Sequence, residues 1–326
     1  MLRKAIGLSL AAAIACFLIY AAFKAASAQL AVKEKQIVFV PKTIEQNYEF
    51  WQTMKQGVFA AAQEYGAEVR VVGADSEFNI EGQIRLLEQE IAMGPQAIVL
   101  AAADYELLVP VAGQIVKSGI KLVTVDSGLS GNLSSSFIAT NNVAAGEKAG
   151  KLMNQWFGPG DTVAIISFVK GSATAMEREE GVRNSLKEAG ISVIDTYYCY
   201  GSVERSYEIA ASILENHPHV RGIVGLNEIS TVGAGKAIQE LQAADRVKLV
   251  GFDNSMEEIA FLEEGILQAT VVQKPFNMGY LAVKTAVQAI DGEQVSALID
   301  TGSEVITKAN MYTKENQKLL FPFVEK

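Results

Sequence analysis

The sequence holds only two cysteines, Cys16 and Cys199, and only two histidines, His217 and His219. Cys16 lies inside an apolar leader-like segment, so the rest of the chain offers Cys199 no second thiol. A disulfide framework is therefore excluded, and the fold must rest on buried surface. His217 and His219 stand two positions apart in "NHPHV" without an evident third ligand, which speaks against a metal centre. Catalytic signatures are missing too: no G-x-S-x-G elbow, no G-x-x-x-x-G-K-S/T loop, no H-E-x-x-H, and no G-x-G-x-x-G after a strand. Basic charge is scarce, with 28 Lys and Arg against 37 Asp and Glu. If Arg3, Lys4 and Lys24 leave with the leader, 25 basic residues face 37 acidic ones, a net charge of −12. That balance argues against nucleic acid or anionic lipid as a partner of the body. No window is low-complexity, and no span between patterned segments is long enough to be a flexible linker.

At 326 residues, 49% apolar and 20% charged, the composition is globular and the length suits two domains. The first 28 residues stand apart. Arg3 and Lys4 precede residues 5–23, which carry no charge, and Ala26-Ser27-Ala28 follows. A basic start, an apolar middle and an A-x-A site form the layout of a secretory signal. The apolar stretch also approaches the ~20 residues that span a bilayer. Cleaved signal peptide and retained membrane anchor both fit; either one exports the remainder. Cys16 is followed by Phe17-Leu18-Ile19-Tyr20 and is not a lipid-attachment site.

After the leader come short, continuously apolar runs rich in Val and Ile. Four lie early, "QIVFVPKT" (36–43), "EVRVVGAD" (68–75), "QAIVLAAAD" (96–104) and "KLVTVDSG" (121–128). Four lie late, "TVAIISFVKGS" (162–172), "ISVIDTYYCYG" (191–201), "RGIVGLNE" (221–228) and "KLVGFDNS" (248–255). Runs of this kind read as parallel strands covered on both faces. Between them are helical patterns. Phe50, Met54, Val58, Ala61 and Tyr65 mark one face at steps of three and four, with Trp51 off that stripe. Ile84, Leu87 and Ile91 do so again before Gly94-Pro95. Alternation of strand and helix predicts doubly wound α/β architecture. The two sets also match in spacing: Ile37 and Val163 are 126 positions apart, Ile98 and Ile223 125, Lys121 and Lys248 127. The chain therefore reads as two similar α/β halves, and "KLVTVDSG" and "KLVGFDNS" as the same strand in each.

Ligands of open α/β sheets bind outside the carboxyl ends of the strands, and two such halves face each other across a cleft. Polar residues gather at those ends: Lys42, Asn47, Asp104, Asp126, Asn227 and Asp253. An ionised Asp accepts from two neighbouring hydroxyls, while Asn donates and accepts. Arg178 could add a planar fork, and Phe50 and Trp51 could cover the apolar face of a sugar ring. Each has a plainer alternative. An Asp after a strand also serves as a helix cap or turn former, Phe50 as core, and Arg178 as a surface partner of Glu177, Glu179 or Glu180. Asp104 reads as a turn residue.

At these residues the chain resembles the periplasmic sugar-binding proteins of the ribose/allose/galactose type, over roughly residues 36–310. The motifs are "KTIEQNYEFWQTMKQG", "TVDSG", "GSATAMEREEG", "GLNE", "GFDNS" and "ATVVQKP". The resemblance implies ligand-binding roles for Lys42, Asn47 (or Tyr48), Phe50, Trp51, Asp126, Ser127, Arg178, Asn227, Asp253 and Gln273. It implies a fold of two doubly wound parallel-sheet lobes joined by a three-segment hinge that closes on the ligand. The lobes would be 36–140 plus 274–302 and 141–273 plus 303–326. It implies no cofactor, no metal and no reaction. The partners would be a monosaccharide or related polyol and the permease of an ABC importer, with the protein a monomer at the periplasm or the outer face of the cytoplasmic membrane. If the leader is retained, the alternative is an anchored sensor presenting its sugar to a histidine kinase or chemoreceptor. Ser127 stands where ribose binders carry an arginine, and Val203 where an aromatic closes the pocket, with Tyr200 as substitute; both argue against plain ribose. If Ala26-Ser27-Ala28 is cut, exported material should begin at Gln29 by intact mass, whereas full-length chain in the membrane fraction would mark an anchor.

Overall fold

The computed structural model describes residues 34–46 and 48–321. The leader at 1–28 and Asn47 lie outside the described residues, as does the end of the second lobe range beyond 321. Among the described residues, twelve strands form two six-stranded sheets. One sheet takes β1 (Lys35–Val40), β2 (Ala67–Val71), β3 (Ala97–Leu100), β4 (Lys121–Val125), β5 (Ser136–Ala139) and β11 (Leu298–Asp300). The other takes β6 (Thr162–Ser167), β7 (Ser192–Tyr198), β8 (Val220–Gly225), β9 (Lys248–Phe252), β10 (Leu267–Val272) and β12 (Glu304–Thr307). Their orders, β11-β5-β4-β3-β1-β2 and β12-β10-β9-β8-β6-β7, correspond strand for strand. The duplication read from the spacing is thus a duplication of topology, and the expectation of two parallel-sheet α/β lobes is borne out. Equivalent registers repeat: Ile98 pairs with Leu122 in one sheet, and Ile223 with Leu249 in the other. Ala97, Ile98, Val99 and Leu100 of β3 are all buried, as a strand covered by helices on both faces requires.

Among the described residues ten helices cover the sheets: α1 (Glu49–Tyr65), α2 (Ile80–Met93), α3 (Val109–Lys117), α4 (Asn142–Met153), α5 (Ala173–Glu188), α6 (Val203–Asn216), α7 (Glu228–Glu240), α8 (Met256–Glu264), α9 (Pro275–Ile290) and α10 (Lys314–Leu320). The α1 stripe differs from its sequence reading. Trp51 is buried with Met54, Val58 and Ala61, while Phe50 is only partly buried. At the first turn the helix faces the other lobe as well as its own sheet, so an off-stripe side chain there is covered too.

The chain passes between the sheets three times, from β5 to α4, from β10 to α9 and from β11 to β12. Helix α9 follows a strand of the second sheet but packs on α1, β3, β4 and β5 of the first. The last passage explains the one antiparallel pairing, β12 on β10. Strand β11 is parallel to β5 and points toward the facing sheet. A chain running straight on enters that sheet from its carboxyl edge, and so must oppose its strands.

Two helix pairs approach backbone to backbone through glycine. A Cβ on Gly57 of α1 would stand 2.0 Å from the Phe276 carbonyl oxygen, and one on Gly279 of α9 2.2 Å from that of Met54. In the other lobe a Cβ on Gly146 of α4 would stand 2.2 Å from the Arg178 carbonyl oxygen, and one on Gly181 of α5 2.1 Å from that of Val143. All four obstacles are main-chain atoms and cannot swing aside. Gly181→Ala should therefore part α4 from α5 and destabilise the fold by about 1–3 kcal/mol. Urea unfolding measures it; an unchanged midpoint would show that the helices separate freely.

Candidate functional site

Asp126 directly follows β4 and Asp253 directly follows β9, and both acids adopt left-handed backbone, φ 61° and φ 76°. Such a conformation costs a non-glycine residue of the order of 1–3 kcal/mol and persists only where the surroundings impose it. Here the ladder imposes it. The Asp126 N–H donates to the Ile138 oxygen of β5 at 2.9 Å, and the Asp253 N–H to the Val271 oxygen of β10 at 3.1 Å. Each strand is thus paired to its last residue, and the left-handed turn then throws the carboxylate off the sheet edge. Neither acid is the N-cap of the helix that follows it: α8 is capped by Ser255, boxed with Glu258. Asp253 does satisfy another helix start, its Oδ2 accepting from the Glu228 N–H of α7 at 3.0 Å.

The carboxylates reach a narrow cavity of about 30 Å³ between the two sheets. It is lined by Lys42, Tyr48, Phe50, Trp51, Glu77 and Asp126 from the first lobe, and by Phe168, Thr174, Arg178, Asn227, Glu228, Asp253 and Gln273 from the segments of the second. Eight of the ten residues expected from sequence meet there. Asn47 lies outside the described residues. Ser127 is fully buried but does not line the cavity, and its Oγ has no partner within the protein. The role expected of Ser127 therefore has no support from the cavity lining. Tyr200 is also outside the lining; it lies under the Arg205 guanidinium.

Lys42 forms a buried ion pair with Asp126 at 2.9 Å and donates across the cleft to Ser172 Oγ (3.2 Å) and Thr174 Oγ1 (3.0 Å). Arg178 is no surface residue. It is 2% exposed, its Nε donates to Asn142 Oδ1 and one Nη to the Leu226 oxygen, and its guanidinium lies 4.7 Å from the Phe252 ring centre. Two of its five N–H donors are thereby used, and their planar fork is held rigidly at the cavity wall. Asn227 does both jobs weighed for it. Its Oδ1 caps α7 by accepting from the Ser230 N–H, while its side chain lines the cavity. Gln273 donates from Nε2 to Asp253 Oδ1 at 2.8 Å, and its buried Oε1 has no partner within the protein.

Sequence reading missed Glu77, Phe168, Thr174 and Glu228. Glu77 accepts from Trp51 Nε1 at 2.8 Å, which fixes the indole edge-on to Phe50 with ring centres 5.1 Å apart. Glu228 reaches across the cleft: its carboxylate accepts from the N–H groups of Glu49 and Phe50, both at 3.2 Å, at the start of α1. Glu49 in turn accepts from the Met256 N–H at the start of α8. Tyr48 Oη donates to the Gly201 oxygen at 2.7 Å. Each lobe thus supplies carboxylates to orphan N–H groups of the other, where the helix dipole favours negative charge.

Electrostatically the cavity is crowded with acid. Burial, with Asp253 adjoining, pushes Glu228 up to about 8. Burial raises Glu77 against the pull of Lys42, and raises Asp253 against the pull of Arg178. Behind them the fully buried Glu258 is raised well above the carboxylate range, first by burial and then by Asp253 and Glu228.

The comparisons with known proteins agree with this geometry. The family model described as periplasmic binding protein domain matches residues 37–294. A D-ribose/D-allose-binding protein of Pseudomonas aeruginosa is 26% identical over 287 residues, 84% of this chain and 89% of that protein. A carbohydrate transporter solute-binding protein from Agrobacterium radiobacter, solved with D-arabinose, superposes with TM-score 0.85 at 30% identity, over 89% of this chain and all of the other. An ABC transporter solute-binding protein from Agrobacterium vitis, solved with D-fucose, does so at TM-score 0.85 and 31% identity, over 87% and 99%.

The raised acids fix the sign of a pH dependence. A carboxyl that the fold lifts to about 8 contributes stability that is fully present below its ordinary pKa and is lost as the pH rises through about 8. Asp253, Glu77 and Glu258 shift the same way. Calorimetry should find a higher melting midpoint at about pH 6 than at about pH 8.5, with a smaller difference in Glu228→Gln, where one acid is gone. Equal midpoints in the parent would contradict the arrangement.

Proposed function

The chain belongs to the periplasmic binding protein domain family, and from that premise we propose that it is an extracytoplasmic solute-binding protein for a monosaccharide or related polyol. One observation carries the reading: equivalent left-handed acids, Asp126 and Asp253, converge from two lobes on one polar cavity roofed by aromatic rings. A sugar ring offers hydroxyls around its rim and C–H groups on its faces. Each ionised Asp accepts from neighbouring hydroxyls, while Arg178, the Asn227 amide and Thr174 donate to hydroxyl oxygens. Phe50, Trp51 and Phe168 meet the apolar faces. Lys42 pairs with Asp126, and Gln273 donates to Asp253 Oδ1, so each carboxyl is held in place. No step in this account makes or breaks a covalent bond; the relatives named above are binding proteins.

In this reading 36–140 plus 274–302 and 141–273 plus 303–326 move as bodies about the three passages between the sheets. Gln273 stands where β10 crosses into α9 and so touches both the ligand and the hinge. The contacts from Lys42 to Thr174, Glu228 to α1 and Tyr48 to Gly201 define the closed form. The partner is the permease of an ABC importer. The names of the relatives, transporter solute-binding proteins, favour that over the sensor alternative. Among the described residues no helix is long and apolar enough to cross a membrane. In this reading the body works as a monomer outside the cytoplasmic membrane, exported by the first 28 residues.

A thermal-shift panel of pentoses, hexoses and polyols identifies the cognate sugar, since ligand at 100 times its dissociation constant stabilises by about 2.7 kcal/mol. Calorimetry then tests the acids. Asn tolerates left-handed backbone, so Asp126→Asn and Asp253→Asn should fold. Each should lose a charge-assisted hydrogen bond of about 1.5–3 kcal/mol, roughly 10- to 150-fold in affinity. Parental affinity in both folded variants would sink the assignment.

A further inference from the structure

The cavity wall is unbalanced in two respects. It presents four carboxyl groups, Glu77, Asp126, Glu228 and Asp253, and two cations, Lys42 and Arg178. Both cations are engaged: Lys42 has Asp126 and two hydroxyls across the cleft, and Arg178 has Asn142, the Leu226 oxygen and the Phe252 ring. Glu228 spends its oxygens on the start of α1. Glu77 spends only one. Its Oε1 takes the Trp51 N–H, while Oε2, on a side chain 5% exposed, has no partner within the protein. The other unpartnered buried polar atom among the cavity-lining side chains is Gln273 Oε1. Both are acceptors. An occupant must therefore bring donors, and at Glu77 it meets an acid whose nearby cation, Lys42, is already paired with Asp126, in a place where unpaired charge is costly.

Resting on the reading of this cleft as a monosaccharide site, we propose that its preferred ligand is an amino sugar or amino polyol whose ammonium group donates to Glu77 Oε2. An ammonium brings three donors and a compensating charge to that spot, whereas a neutral hydroxyl brings one donor and no charge. The hydroxyls of the same ring keep the partners already assigned. Trp51 contributes indirectly: its N–H engages Glu77 Oε1, which leaves Oε2 as the oxygen without a partner within the protein. Glu77 lies in the turn after β2, outside the eight expected residues that meet in the cavity, and it sets which member of the sugar class is taken.

The test pairs aminodeoxy pentoses and hexoses, with the amine at each ring position in turn, against their parent sugars, by calorimetry on the full protein at neutral pH. At least one amine should bind roughly 10- to 150-fold more tightly than its own parent, the ratio of a charge-assisted hydrogen bond. Glu77→Gln should erase that ratio. Parent sugars that bind as tightly as, or more tightly than, every amine would overturn the inference while leaving the monosaccharide reading intact. Binding of neither class would overturn the monosaccharide reading itself. The ratio in the unaltered protein decides even if Glu77→Gln fails to fold.

Discussion

The cleft depends on one backbone constraint applied twice. Strand β4 must stay paired to β5, and β9 to β10, as far as the acids Asp126 and Asp253, yet their side chains must leave the sheet and enter the space between the lobes. An extended residue at a strand end would turn its side chain to one face, among helices. Left-handed backbone satisfies both demands, and Asp and Asn are the residue types that bear it at least cost after glycine. Once the two carboxylates stand in the cleft, the rest is compensation. Lys42 pairs one, Gln273 and the Glu228 N–H hold the other, and Arg178 is fixed against Phe252 beside it.

Compensation also ties the lobes together. Two carboxylates exchanged between helix starts, a lysine satisfied by hydroxyls of the other lobe and a tyrosine on a carbonyl across the cleft are all polar contacts. An interface of that kind opens in water with little loss, because each group exchanges its partner for solvent. A hydrophobic seam would hold the lobes shut whether or not the cleft was filled. Under the closure proposed above the buried acids add a bias: closing them away from water is easier with a proton aboard, so acidity would favour closure.

The fold was legible because its signals are local and repeated. Continuous apolar runs gave β1, β3, β4, β8 and β9 within a few residues, and the near-constant offset gave the duplication. Strands β5, β11 and β12 were missed because they are only three or four residues long and take their pairing from distant chain. In the site, acids after apolar runs were visible, and so were the aromatics of α1. Phe168 could have been found from the offset, since it lies 126 positions beyond Lys42. Glu77 and Glu228 could not. Each reads as an ordinary charged residue beside a turn or a helix start, and only the meeting of two lobes buries it.

The duplication sets a further condition on the cleft. Residues equivalent in the two halves face each other across it. Lys42 lies 5.7 Å from the ring centre of Phe168, its counterpart by offset, and Asp126 and Asp253 are close enough for the first to raise the second. A strictly repeated sequence would therefore set like against like, with two lysines meeting in a buried space. Divergence resolves this pair by pair. Lysine meets phenylalanine, and Arg178 corresponds by offset to Trp51, so each cation has an aromatic as its counterpart. The acids alone are retained on both sides, and their mutual repulsion is offset by Lys42 on one and by Gln273 with Arg178 on the other. A sugar ring has no twofold axis either. The repeat supplies two rims of strand ends, and the differences between them give the cleft the asymmetry that such a ligand requires.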